Sequence, residues 1–411
     1  MRLFPKLPVL TLFLAASVLF FPVLFAASAK ADTPVDTDPL NRTPEIQDAF
    51  RHFYNLDYDG AIARFQHIQT VHPDDPLATA YVLDAVLFRE LNRLDLLDTT
   101  FYANDGFLTG KHTVVEDPKA RDQIKQLADK AVDQADAQLK TNPNDVNALF
   151  ARGWARSLEA TYLAMVERAF GSGLHLALGA RSDNAKVLQL DPRYEDAKLV
   201  VGVYQYVVGA LPFAFKLLVG FAGIHGSKVD GMAMLHDVAE HGVITQVEAK
   251  TTMMLFLRRE GKYSEAEAVA RSLAEQYPHD FLFCLEEANL EKDAGESAKA
   301  IESYRRVLSE ARKPGYFDSA HVELAYYGLG DTLRGQRMYM DAVQAYHDAA
   351  FTPSTSPELK RRCLLEAGKT YDLMMDHPKA VQQYQAVLDN GSDTVQGDQA
   401  KKYMRTAYTG R

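Results

Sequence analysis

Cysteine and tryptophan are almost missing: Cys284, Cys363 and Trp154 are the only ones in 411 residues. So few thiols exclude a disulfide scaffold, and the two cysteines, set in different helical units, read as small buried residues. Positive charge is in deficit, with 45 Lys and Arg against 55 Asp and Glu and a formal charge of −10. Phosphate recognition needs a basic face, so no nucleic-acid partner is expected. The constellations of catalysis are lacking too. No Ser/His/Asp or Cys/His arrangement has a supporting context. His236 and His241 stand five apart, about 140° round a helix, whereas a zinc helix needs i, i+4. The stretch 220–228 (GFAGIHGSK) reads Gly-Ser-Lys rather than Gly-Lys-Ser, with no strand before it. It is expected to be a glycine-rich turn, with Ser227 capping a helix from Lys228 to His241. No catalytic residue, metal or cofactor is expected, and the chain does not read as an enzyme.

What is present is globular: 47% hydrophobic and 24% charged. The first residues form a targeting segment. Arg2 and Lys6 precede an apolar run from Leu7 to Phe25, followed by the small triplets Ala27-Ser28-Ala29 and Ala29-Lys30-Ala31. Residues 1–31 are expected to be a signal peptide, with an uncleaved anchor at 7–25 as the alternative because the run exceeds the usual length of about 15. Both place the body outside the cytoplasm, in the periplasm or cell envelope. Residues 32–43 are polar and read as a flexible lead.

From Thr43, the expected cap of a first helix, apolar residues recur at helical spacing to the end of the chain. Asp57 to Pro73 (DYDGAIARFQHIQTVHP) carries Tyr58, Ala61, Phe65 and Pro73. Further helices are expected over 77–96, 118–139, 146–170 and 175–190, with a long loop at 98–116 and a break at Gly171-Ser172-Gly173. Clearer units follow. GKYSEAEAVARSLAEQYP holds Tyr263, Ala266, Ala270 and Pro278, and GESAKAIESYRRVL holds Ala300, Tyr304 and Val307. The third unit holds Tyr326, Gly330, Tyr339, Ala342 and Tyr346, and the last holds Gly368, Tyr371, Ala380 and Tyr384. Alanines 266, 300, 342 and 380 are spaced 34, 42 and 38.

This pattern resembles the tetratricopeptide repeat (TPR), whose period is about 34. The resemblance is specific over 246–390 and holds for 44–73. It implies an all-α solenoid of antiparallel helix hairpins: a degenerate block at 44–193, a central joint at 194–242, a regular block at 243–390 and a capping helix at 391–411. It also implies a concave groove lined by the first helix of each hairpin. Carried onto this sequence, the groove positions are Arg258, Arg259, Asn289, Lys292, Asp331, Arg334, Lys369 and Asp372. They do not reproduce the carboxylate clamp of chaperone-binding repeats. Residues 211–242 are also similar to the central region of a eukaryotic TPR family linked to lipid-droplet and outer-mitochondrial clearance, which implies a scaffold and no catalytic residue.

The stretch from Leu199 to Ile224 is apolar apart from Lys216 and is divided by Gly209, Pro212, Gly220 and Gly223. Three readings stay open: a membrane span, an exposed apolar patch, and a buried helix over 195–210 followed by a wedged segment. The patch residues would be Leu211, Phe213, Phe215, Leu218 and Phe221. Together these observations predict an exported, non-catalytic TPR scaffold that binds a protein or peptide in the cell envelope. The alternative is a carrier of an apolar ligand or lipid through 199–224.

Overall fold

The computed structural model describes residues 36–102, 115–210 and 225–410. The patch residues Leu211, Phe213, Phe215, Leu218 and Phe221 lie outside them, as does the targeting segment. Val35–Arg411 forms one compact unit, and everything below concerns it. Among the described residues there are 17 α-helices and no strand. In chain order they are α1 (Pro44–Phe53), α2 (Tyr58–Val71), α3 (Pro76–Arg93), α4 (Pro118–Thr141), α5 (Val146–Met165) and α6 (Phe170–Leu190). Then come α7 (Lys198–Ala210), α8 (Lys228–His241), α9 (Gln246–Arg259), α10 (Tyr263–Gln276), α11 (Phe281–Asp293) and α12 (Ser297–Glu310). The chain closes with α13 (Val322–Gly335), α14 (Tyr339–Ala350), α15 (Pro357–Leu373), α16 (His377–Asp389) and α17 (Val395–Arg405).

Local chemistry starts these helices where the sequence says it should. Thr43 and Ser227 accept the N–H of Ile46 and Asp230, and Asp57, Asp75, Asp117, Asp145 and Asp280 do the same for α2, α3, α4, α5 and α11. Such a side chain satisfies donors that the first turn leaves unpaired. Inside the hairpins the turn passes through one left-handed residue. It is Leu56 (φ 64°) between α1 and α2, then Gly261 (72°), Gly295 (82°), Arg337 (61°) and Met375 (64°) in the four later hairpins.

Each of α9 to α16 packs on its successor, which is the stacking of a solenoid. The small residues do what the repeat requires. Ala266, Ala300, Ala342 and Ala380 are fully buried. A Cβ on Gly330 would stand 2.7 Å from the Tyr346 ring, and one on Gly368 would stand 2.5 Å from the Tyr384 ring. A side chain at either position would push the paired helices apart.

Three expectations are corrected. Gly171-Ser172-Gly173 does not break the chain: α6 starts at Phe170 and runs through it. A Cβ on Gly173 would meet the Ala160 carbonyl at 3.2 Å, so the glycine serves close packing of α6 on α5. The chain turns earlier, through Arg168 at φ 56°. Residues 37–42, expected as part of a flexible lead, are packed: the Asn41 amide reaches Thr37 at 2.7 Å, and its oxygen accepts from Tyr81. Helix α7 is not buried all round, because Leu199, Val201 and Tyr206 are covered while Val207 is 48% exposed. Among the described residues no helix is long and apolar enough to cross a membrane. Cys284 and Cys363 are free and buried.

Candidate functional site

Between α9, α11 and α13 and the start of the chain lies the face that the repeat pattern assigns to partner binding. This chain already covers part of it. The segment after α3 runs along it. Arg258 on α9 donates to the Thr99 hydroxyl at 2.8 Å, and Arg259 donates to the Tyr102 carbonyl at 2.7 Å. Thr99 in turn donates to Glu286 on α11. Asn92 donates to Ser319 at 3.0 Å. From α1, the Tyr54 hydroxyl lies 2.5 Å from Glu248 Oε1 and 3.1 Å from the Ile244 carbonyl, and its ring packs on Tyr277.

The eight groove candidates therefore fall into distinct places. Arg258 is 3% exposed and bound to Glu286 and Asp293. Burial works against its charge, yet the two carboxylates outweigh that and hold the guanidinium above its usual value. Asn289, Asp331 and Asp372 serve the core: each accepts the hydroxyl of a buried tyrosine from the next helix. The pairs are Tyr304–Asn289 (2.6 Å), Tyr346–Asp331 (2.6 Å) and Tyr384–Asp372 (2.7 Å). Arg334 and Lys369 converge on Glu366 of α15, a residue the repeat pattern did not single out. Burial would raise the Glu366 carboxyl, but the two cations hold it below its usual value. Lys369 also lies under the rings of Tyr403 and Tyr408, so the C-terminal cap covers it. Lys292 is half-buried.

A cavity of about 190 Å³ sits where the N-terminal helices meet this face. Phe53, Tyr58, Phe88, Met254, Phe283 and Leu285 supply its apolar wall, and Glu248, Asp280, Glu286 and Asp98 supply carboxyls. Burial pushes Glu248 and Asp280 up to about 7 each, against hydrogen bonds from Tyr54 and from backbone N–H groups. Close by, Asp84 on α3 is 1% exposed, and the Trp154 indole N–H is the one group that favours its charged form. Burial holds its carboxyl well above the usual range, and the charge of Glu248 adds to this. An acid inside the apolar run YVLDAVLF was the one visible signal for this region. Glu248 left none.

Two groups among the described residues have metal-ligand chemistry, Asp95–His321–Glu323 and Glu267–Glu287–Glu291. Both already face cations. Lys299 and Arg271 meet Glu267, while Arg271 and Arg306 meet Glu287. In the other group His321 Nδ1 lies 3.0 Å from Asp95 and 3.0 Å from Glu323. Burial opposes the imidazolium, but these two hydrogen bonds prevail and push its pKa up to about 9. The folded value exceeds the unfolded one of 6.5. The stabilisation is therefore complete below pH 6.5 and is lost as pH rises through 9. Wild type is expected to lose about 3 kcal/mol more than His321→Gln between pH 6.5 and 9.5. Urea midpoints across that range check this, and parallel curves for the two proteins would refute it. The helix pair His236 and His241 is exposed, and both residues lie beside Glu240.

A family model described as Iml2/Tetratricopeptide repeat protein 39 matches residues 195–348, taking in α7 to α13 and most of α14. No curated protein matches the chain. Among solved structures, yeast Tom70 is similar at 11% identity and TM-score 0.41, covering 88% of this chain and 87% of that one. A human IFIT1 dimer with m7Gppp-AAAA is similar at 11% identity and TM-score 0.43, covering 88% and 82%. At these scores the likeness adds nothing to the fold read from the chain's own packing.

Proposed function

We propose that this tetratricopeptide-type helical scaffold is exported and binds a protein or peptide partner in the periplasm or cell envelope, without catalysing a reaction. The run of four repeat hairpins, α9 to α16, carries the reading, because stacked hairpins present an extended rigid surface suited to docking. The family match over 195–348 supports it. Export rests on Arg2, Lys6, the apolar run 7–25 and the small triplets that follow.

The internal pairings decide how to test it. Reversing Arg334 or Lys369 would take from Glu366 one of its two cations and perturb the fold itself. Lys292 is the better handle, since it is half-buried on α11 with no such duty. A photo-crosslinker at position 292, used in periplasmic extracts, is expected to trap one discrete partner. Lys292→Glu should weaken that complex about tenfold while leaving the melting temperature unchanged. No adduct at 292, or a complex indifferent to the charge reversal, would remove this reading.

A further inference from the structure

The cavity beside α9 holds a carboxyl for which the described residues supply no counter-charge. Glu248 lies in the first turn of α9. Its Oε1 faces the Tyr54 hydroxyl at 2.5 Å, and its Oε2 is buried with no hydrogen-bond partner. Among the described residues, the charged groups that act on it are acidic. Asp84 from α3 and Asp196 before α7 act on it through space. Tyr54 and Tyr277 are its other titratable neighbours. Asp98, Asp280 and Glu286 line the same cavity, and none of its lining residues is Lys, Arg or His. Arg258 answers Glu286, backbone N–H groups answer Asp280 and the Trp154 indole favours the charge of Asp84, so Glu248 is left over. The Tyr54 hydroxyl adds to the imbalance. It has one proton and two acceptors within reach, Glu248 Oε1 and the Ile244 carbonyl. A proton on Glu248 settles this arrangement, and so does a cation delivered from outside.

We infer that this cavity is a binding site for a small organic amine, whose ammonium group pairs with Glu248 while its apolar body fills the wall of Phe53, Tyr58, Phe88, Phe283 and Leu285. Size fits the class. An apolar cavity of about 150 Å³ accepts benzene, and this one of about 190 Å³ adds room for a short side chain. The aromatic walls favour the same guest, since ring faces attract ammonium groups and ring edges pack on an aromatic body. A neutral lipid tail would leave the Glu248 oxygen unpartnered. The inference is independent of the docking surface proposed above.

The test uses 2-phenylethylamine and its neutral counterpart 2-phenylethanol, titrated calorimetrically against the full chain at pH 8. The amine is expected to bind at least about tenfold more tightly than the alcohol. In Glu248→Gln that preference should vanish, through a loss for the amine alone. Because the amine must displace the Glu248 proton, its affinity should fall about tenfold from pH 8 to pH 6, with a proton released on binding at the lower pH. Leu282→Trp, which fills the cavity from α11 and keeps Glu248, should abolish binding of both ligands and covers the case in which Glu248→Gln fails to fold. Equal affinity for amine and alcohol, or amine binding that survives either substitution in a folded protein, would overturn the inference.

Discussion

Replacing Arg258 by Met is expected to lower the unfolding free energy by about 3–5 kcal/mol, the cost of leaving a buried carboxylate without its partner. The guanidinium binds Glu286 and Thr99 at 2.8 Å each through one nitrogen, and it grips Asp293 at 2.5 and 2.8 Å through the other two. Glu286 is 4% exposed, and among the described residues Arg258 is its one cation. Burial already pushes its carboxyl up, with Arg258 as the chief opposing influence. The double variant Arg258→Met/Glu286→Leu removes both charges and should recover most of the loss, because an apolar pair of similar volume is tolerated where half an ion pair is not. Urea midpoints of the three proteins measure this. A single variant within 1 kcal/mol of wild type, or a double variant worse than the single, would show that the ion pair does not hold α9 on α11.

Asp196→Ala should cost about as much, roughly 3–5 kcal/mol, for a different reason. One carboxylate oxygen accepts from the backbone N–H of Val243 (2.9 Å), Ile244 (3.1 Å) and Thr245 (3.1 Å), and from the Thr245 hydroxyl (2.8 Å). The other oxygen accepts from Thr37 at 3.4 Å. Helix α9 has no side-chain cap at Thr245, and Asp196, far back in the chain, instead pins the three residues that lead into it. Gly242 makes room for it: a Cβ there would stand 3.2 Å from the Asp196 oxygen. Alanine would strand buried N–H donors, each costing about 1–3 kcal/mol. Asparagine keeps an acceptor oxygen and should lose only about 1–2 kcal/mol. Equal destabilisation by Ala and Asn in denaturant titrations would rule out this anchoring role.

The hairpins of 246–390 were legible because their determinants are local. A small residue must face a large one across a close helix pair, as Gly368 faces Tyr384, and that pairing has a fixed spacing. Helix starts at Thr43 and Ser227 were legible for the same reason. The start of α9 was not. Thr245 looks like an ordinary cap, but its hydroxyl donates to Asp196 instead. The groove residues show the limit most plainly. Repeat geometry put Asn289, Asp331 and Asp372 on the first helices, but periodicity says nothing of the tyrosine hydroxyls that engage them. Nor does any local pattern bring Asp95 to His321 or Thr99 to Arg258, since those contacts join segments far apart in sequence.

Those distant contacts change how the chain comes apart. A simple solenoid is close to a one-dimensional array, in which each unit touches its neighbours and the ends unzip first. Here Tyr54, Asp95 and Thr99 tie the first hairpins to α9, α11 and the loop before α13. The terminal units are braced against the middle, so loosening one releases the other. The cost appears in time: these ties close long loops, whose entropy must be overcome before any contact repays it. The molecule thus trades the quick, piecewise assembly of a repeat array for a slower and more cooperative one.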